Sequence, residues 1–140
     1  MSLQLFKTKV DNCWMKVIII ENNEDTIKAI TDYFTSIDKP FIVRANDLVQ
    51  GVNKIKNQKF DLVFVQLNML KKHETIDLSE VLKKSLNYDL SSTFILTDQI
   101  QTEDFELLVK KGFKSIITLP IDEIALNEKI TLLHQSNSKK

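Results

Sequence analysis

The chain has 140 residues, within the range of one domain and long enough to bury a sizeable core. A hydrophobic share of 43% and a charged share of 27% mark an ordinary soluble globular protein. Nineteen Lys and Arg balance nineteen Asp and Glu, so no net field draws the chain toward nucleic acid or an anionic membrane, and neither is expected as a direct partner.

Residues 1–14 precede the first regular element. Their run LQLFKTKVDNCW lacks the apolar core of a secretory signal. Cys13 is the only cysteine, so an intrachain disulfide is impossible, a reducing compartment fits, and cytoplasm is the expected location. Phe6 and Trp14 would dock this leader either on the domain or on a partner. Met15-Lys16-Val17 is a natural start for a domain, so the leader reads as an extension, an upstream start or a cloning remnant.

KVIII (16–20) is a β-branched run too short for a buried helix, hence a first strand. Asn23 then offers an N-cap, Glu24 and Asp25 suit a first helical turn, and Ile27, Ile30, Phe34 and Ile37 recur at helical spacing until Pro40. FIVRA (41–45) is a second strand, and Asn46 can cap a second helix with Leu48, Val52 and Ile55 on one face. A third strand spans 61–67, and a third helix spans about 75–86 with Ile76, Val81 and Leu82. After the polar linker NYDLSS, TFILT (93–97) is the fourth strand. Thr102 opens a fourth helix with Phe105, Leu108 and Val109 inward, and Lys110, Lys111 and Gly112 form its stop signal. KSIITLP carries the fifth strand, and a last helix places Leu126, Ile130 and Leu133 on one stripe before the polar tail 135–140.

Strict alternation of strand and helix predicts an α/β domain over 15–134: a (βα)5, doubly wound, flavodoxin-like parallel sheet of five strands in the order 2-1-3-4-5. No apolar run approaches the roughly 20 residues of a membrane helix. Gly51 and Gly112 are the only glycines and Pro40 and Pro120 the only prolines, so neither GxGxxG nor GxxxxGK[ST] can be written. No cofactor is expected. His73 and His134 lack a third ligand at metal-like spacing, so no metal site is expected from them, and Lys71-Lys72 and Lys139-Lys140 read as solvated ends.

One stretch stands apart. FDLVFVQLNML (60–70) holds an amide, Gln66, near the C-terminal end of a strand apolar on both faces, where ligands gather in open parallel sheets. Together with KVIIIENNE, FILTDQ and VKKGFKSIITLP it resembles, in order and spacing, the receiver domains of two-component response regulators over about residues 15–134. The resemblance implies a phospho-accepting aspartate, two acids that help hold magnesium, a Ser or Thr after strand four, a lysine before a proline after strand five, and an aromatic switch in strand five. On this chain those positions fall on Gln66, on Glu21 and Asn22, on Thr97, on Leu119 before Pro120, and on Ile116.

A carboxamide is neither a nucleophile toward phosphoryl donors nor an anionic ligand for a hard cation. The family's three carboxylates and one ammonium sum to about −2; of these four positions only Glu21 stays charged here, about −1. A semi-buried ammonium without its counter-charge costs several kcal/mol, so loss of aspartate and lysine together is the stable outcome. Local alternatives stand beside this. Gln66 is either a polar plug bonded to Asn22, Thr97 or a loop amide, or an amide that reads a ligand. Glu21 and Asn22 can be loop and cap residues, and Thr97 a local cap.

Two classes of function follow. One is a pseudo-receiver, a signalling module that binds a protein partner or a second copy without phosphorylation and without enzymatic activity. For it the resemblance implies contact through the fourth helix, fifth strand and fifth helix, around Phe105, Val109, Phe113 and Ile116 or their exposed neighbours. The other is a small-ligand or enzymatic flavodoxin-like domain using the crevice at the strand ends. It lacks a nucleophile–base pair, a phosphate loop and a metal cluster.

Overall fold

The computed structural model describes residues 16–37, 41–72, 77–86 and 90–138. Within them β1 (Lys16–Ile20) leads to α1 (Glu24–Ile37), β2 (Phe41–Ala45) to α2 (Leu48–Asn57), and β3 (Leu62–Gln66) to two helices, α3 (Leu67–Lys72) and α4 (Leu78–Leu86). A 3-10 turn at Leu90–Ser92 precedes β4 (Thr93–Thr97), which is followed by α5 (Thr102–Lys111), β5 (Ser115–Thr118) and α6 (Glu123–Ser138). All pairings are parallel, in the order β2-β1-β3-β4-β5, which is the arrangement expected from the alternating pattern.

Period-two alternation sorts the strand residues onto two buried faces. Ile18, Ile20, Val63, Val65 and Ile95 meet Leu48, Val52 and Ile55 of α2, Leu78 and Leu82 of α4 and Leu108 of α5. On the opposite face Val17, Ile19, Phe64, Phe94 and Leu96 meet Ile27, Ile30 and Phe34 of α1 and Leu126 and Ile130 of α6. Phe64 stacks on Phe94 at 5.1 Å between ring centroids and receives the edge of Phe34 at 6.0 Å. The Tyr33 hydroxyl, pushed up to about 12 by burial, donates to Asn127 Oδ1 at 2.8 Å and ties α1 to α6. Asp61 pins the sheet's other end: its Oδ2 accepts from the Lys16 amide at 2.8 Å and its own amide donates to Lys16 O at 2.8 Å.

Gly51 lets α2 lie directly on β1. A Cβ there would sit 2.5 Å from Ile20 Cδ1 and 2.7 Å from Ile20 Cγ1, and Ile20 is fully buried. Gly51→Ala should therefore destabilise by about 1–3 kcal/mol despite the better helix propensity of alanine. A chemical-denaturation midpoint equal to or above the parent's would show that Ile20 gives way freely.

Several expectations need correction. β3 ends at Gln66, and Leu67 already begins α3, whose Leu67 and Met69 turn into the core. Asp47, not Asn46, caps α2: its side chain accepts from the Gln50 amide at 2.8 Å, while Gln50 Oε1 takes the Asn46 amide at 3.1 Å. In α5 only Leu108 is buried, whereas Phe105 and Val109 face outward at 49% and 53% exposure. Asn23 does cap α1, taking the Thr26 amide at 3.1 Å, and Gly112 closes α5 in the left-handed region at φ 104°. No described helix is long and apolar enough to cross a membrane. Residues 1–15, with Phe6, Cys13, Trp14 and Met15, lie outside the described residues, as do Pro40, His73, Ile76, Lys139 and Lys140 and the side chains of Ile37, Leu133 and His134.

Candidate functional site

The strand register brings the ends of four strands to one rim. Ile20 pairs with Val65, Gln66 with Leu96, and Thr97 with Thr118, so Glu21, Gln66, Thr97 and Leu119 share the C-terminal edge of the sheet. They line a crevice of about 340 Å³, to which Asn68 and Asp98 also contribute. This is the edge where parallel α/β sheets place their ligands.

Glu21 is the centre of its hydrogen bonding. The residue is fully buried, at 0% exposure, because Ile20 carries it straight off the most enclosed part of β1. Its Oε1 accepts from the Asn22 amide at 2.9 Å, from the Asn23 amide at 3.2 Å, and from the Gln66 side-chain nitrogen. The same Gln66 Nε2 reaches Asn22 Oδ1 at 3.3 Å, so its two hydrogens serve two acceptors. Glu21 Oε2 is buried with no partner among the described residues. The carboxamide thus supplies N–H dipoles to the buried acid.

The remaining positions make local contacts. Thr97 Oγ1 donates to Gln99 O at 2.6 Å and accepts from the Gln99 amide at 3.2 Å, a local turn that occupies both functions of the hydroxyl. Leu119 is half-buried against the α1–α6 face of the core, and its amide donates to Thr97 O at 2.8 Å. The Leu119–Pro120 peptide is cis. Ile116 packs against the opposite core face from β5, the edge strand.

The magnesium ion implied by the resemblance does not fit this donor set. Magnesium takes carboxylate or phosphate oxygens in a near-ideal octahedron and gives up water reluctantly. Here one oxygen of Glu21 is filled by N–H donors, the other is enclosed, and Gln66 presents nitrogen rather than oxygen to the acid. No group of three His, Cys, Asp or Glu among the described residues is arranged to hold a metal. The charge expected for the crevice nevertheless needs correction, since Asp25 and Asp98 line it together with Glu21. Asp98 follows from the strand-end rule that named Gln66, being the first residue after β4, whereas Asp25 lies in the first turn of α1.

The residues expected to form a contact face separate. Phe105 and Val109 are exposed on α5, as are Leu107 at 50% and Ile124 of α6 at 71%. Phe113 is buried at 3% and cannot serve as a contact residue, because it follows the Gly112 cap into the core.

No protein-family model matches this chain, and no curated protein matches it. Solved structures do. A CheY-like response regulator receiver domain protein from Methanospirillum hungatei shares 16% identity over 90% of this chain and 98% of its own, with a TM-score of 0.71. The receiver domain of a sensor histidine kinase from Pseudomonas aeruginosa, with magnesium coordinated in its active site cleft, shares 14% identity over 88% of this chain and 99% of its own, TM-score 0.70. A CheX-CheY complex with BeF3 and magnesium from Borrelia burgdorferi shares 23% over 85% of this chain and 88% of that one, TM-score 0.67. At these identities the likeness establishes a common fold.

Proposed function

We propose that the chain is a receiver-like signalling module that acts through protein contacts and is not phosphorylated on the sheet edge. One observation carries this reading: the side chain at the acceptor position is an amide, and its N–H groups are already bonded to Glu21 and Asn22. Incubation with acetyl phosphate and magnesium, followed by intact-mass measurement, should give no added phosphoryl group. A stoichiometric adduct would contradict the reading.

The likeness to receiver domains, one of them solved in complex with a second protein, supports a role in partner binding. The surface best suited to it is the outward side of α5 with β5 and α6, where Phe105, Val109 and Ile124 are exposed. The Thr97 hydroxyl is engaged by Gln99 and Ile116 has no hydroxyl to swing, so neither biases that face between two states. Binding would then follow abundance or competition between partners. Phe105→Asp combined with Val109→Lys should abolish association with a partner or a second copy, measured by sedimentation, while Thr97→Ala should leave it unchanged. Loss of association in a folded Thr97→Ala protein would mean that the hydroxyl still works as a switch.

A further inference from the structure

The charges that line the crevice at the sheet edge are all of one sign. Asp25, in the first turn of α1, and Asp98, the first residue after β4, are exposed acids on its wall, and the buried Glu21 joins them. Neither aspartate makes an ion pair among the described residues. The cations of α1 and β2 are committed to other acids, Lys28 to Asp32 at 2.7 Å and Arg44 to Glu24 at 2.6 Å. No Lys or Arg among the described residues lines the crevice.

A second observation points the same way. Glu21 is fully buried, yet it is part of the crevice wall, and its Oε2 meets no hydrogen-bond donor among the described residues. A buried carboxylate oxygen without a donor is costly, and a cation in the crevice offsets that cost through its field. The acids do not converge on one point, since no three of them among the described residues are arranged to hold a single metal ion. Their charge is instead spread over a volume of about 340 Å³, which suits a cation whose own charge is divided between two ends. Leu119, half-buried, and Pro120, exposed, add an accessible apolar wall for a short methylene chain. Ammonium groups also demand less than magnesium: each brings its own N–H donors and needs no octahedron of oxygens.

We propose that the crevice binds a small aliphatic diamine in its doubly protonated form. One ammonium is directed at Glu21, the other lies on the rim acids Asp25 and Asp98, and the methylene chain runs along Leu119 and Pro120. The inference rests on the reading that this edge takes no phosphoryl group, and the two fail separately. An acetyl-phosphate adduct would overturn that reading, whereas a chain that takes neither phosphoryl group nor diamine overturns this proposal alone.

The test titrates 1,4-diaminobutane, butylamine, 1,4-butanediol and magnesium chloride into the full chain at neutral pH and constant ionic strength, each followed by amide chemical shifts. The diamine should bind saturably at one site and move the amides of Asn23, Asn68 and Asp98. Butylamine should bind about fivefold more weakly, the difference that one exposed ion pair can make. The diol and magnesium should leave those amides in place. Asp25→Asn and Asp98→Asn should each weaken the diamine several-fold, and Glu21→Gln should weaken both amines. Both aspartates are exposed, and an unchanged melting temperature confirms that each variant is folded. Absence of saturable diamine binding, equal affinity for diamine and diol, the same shifts with magnesium, or undiminished diamine affinity in the two aspartate variants would overturn the proposal.

Discussion

Replacing Gln66 by aspartate is expected to lower stability by about 2–4 kcal/mol, because it removes an N–H donor from a buried carboxylate and sets a second carboxylate beside it. Glu21 is fully buried, one of its oxygens has no partner among the described residues, and the other loses the amide that Gln66 supplies. Leu119 offers no ammonium to offset the new charge, and no Lys or Arg among the described residues lines the crevice. For a domain of this size the loss corresponds to roughly 10 °C in melting temperature. Adding Asn22→Asp should deepen the loss in metal-free buffer and reverse part of it in magnesium, since a hard cation can then find two further carboxylates. Thermal unfolding of the single and double variants, with and without magnesium, checks the sequence of effects. A higher melting temperature for Gln66→Asp without metal would contradict the role given to the amide.

Glu21→Ala is expected to cost about 3–4 kcal/mol, whereas Glu21→Gln should change stability by about 1 kcal/mol at most. Alanine leaves the amides of Asn22 and Asn23 and the Gln66 side chain without their common acceptor, and empties the volume beside Ile20. Glutamine keeps an oxygen for those donors and exchanges an unpartnered carboxylate oxygen for an uncharged group. The pair of variants separates acceptor from charge. Urea midpoints that fall equally for both would show that the negative charge itself holds the turn.

The sheet was legible because its strands are short, apolar and rich in β-branched residues: Lys16–Ile20, Phe41–Ala45 and Thr93–Thr97 have the expected boundaries. Alternation of strand with helix then left few topologies. The helices were harder where periodicity fails. LNMLKK is too short to display a helical repeat, so α3 read as the end of a strand and a polar loop. In TEDFELLVKK apolar residues occupy several sides of the helix, and the spacing of Phe105, Leu108 and Val109 suggested a stripe of which only Leu108 is buried. β5 beside it is the edge of the sheet, which leaves α5 less surface to cover. The positions of Gln66, Glu21, Asn22, Thr97 and Leu119 at one sheet edge could be inferred from order and spacing. Their hydrogen bonds could not: the bond from Gln66 to Glu21 joins residues on separate strands, and only the register of β1 on β3 brings them together.

In the proposed reading the Gln66 amide, bonded to Glu21 and Asn22, replaces a phospho-acceptor at the sheet edge. Titration with beryllofluoride and magnesium, followed by fluorine NMR, tests it most directly, because this phosphoryl mimic needs an aspartate oxygen and a bound cation together. Only free fluoride species are expected at every concentration, with the Glu21, Gln66 and Thr97 amides unmoved. A protein-bound fluorine signal in slow exchange, accompanied by shifts at those amides, would contradict it.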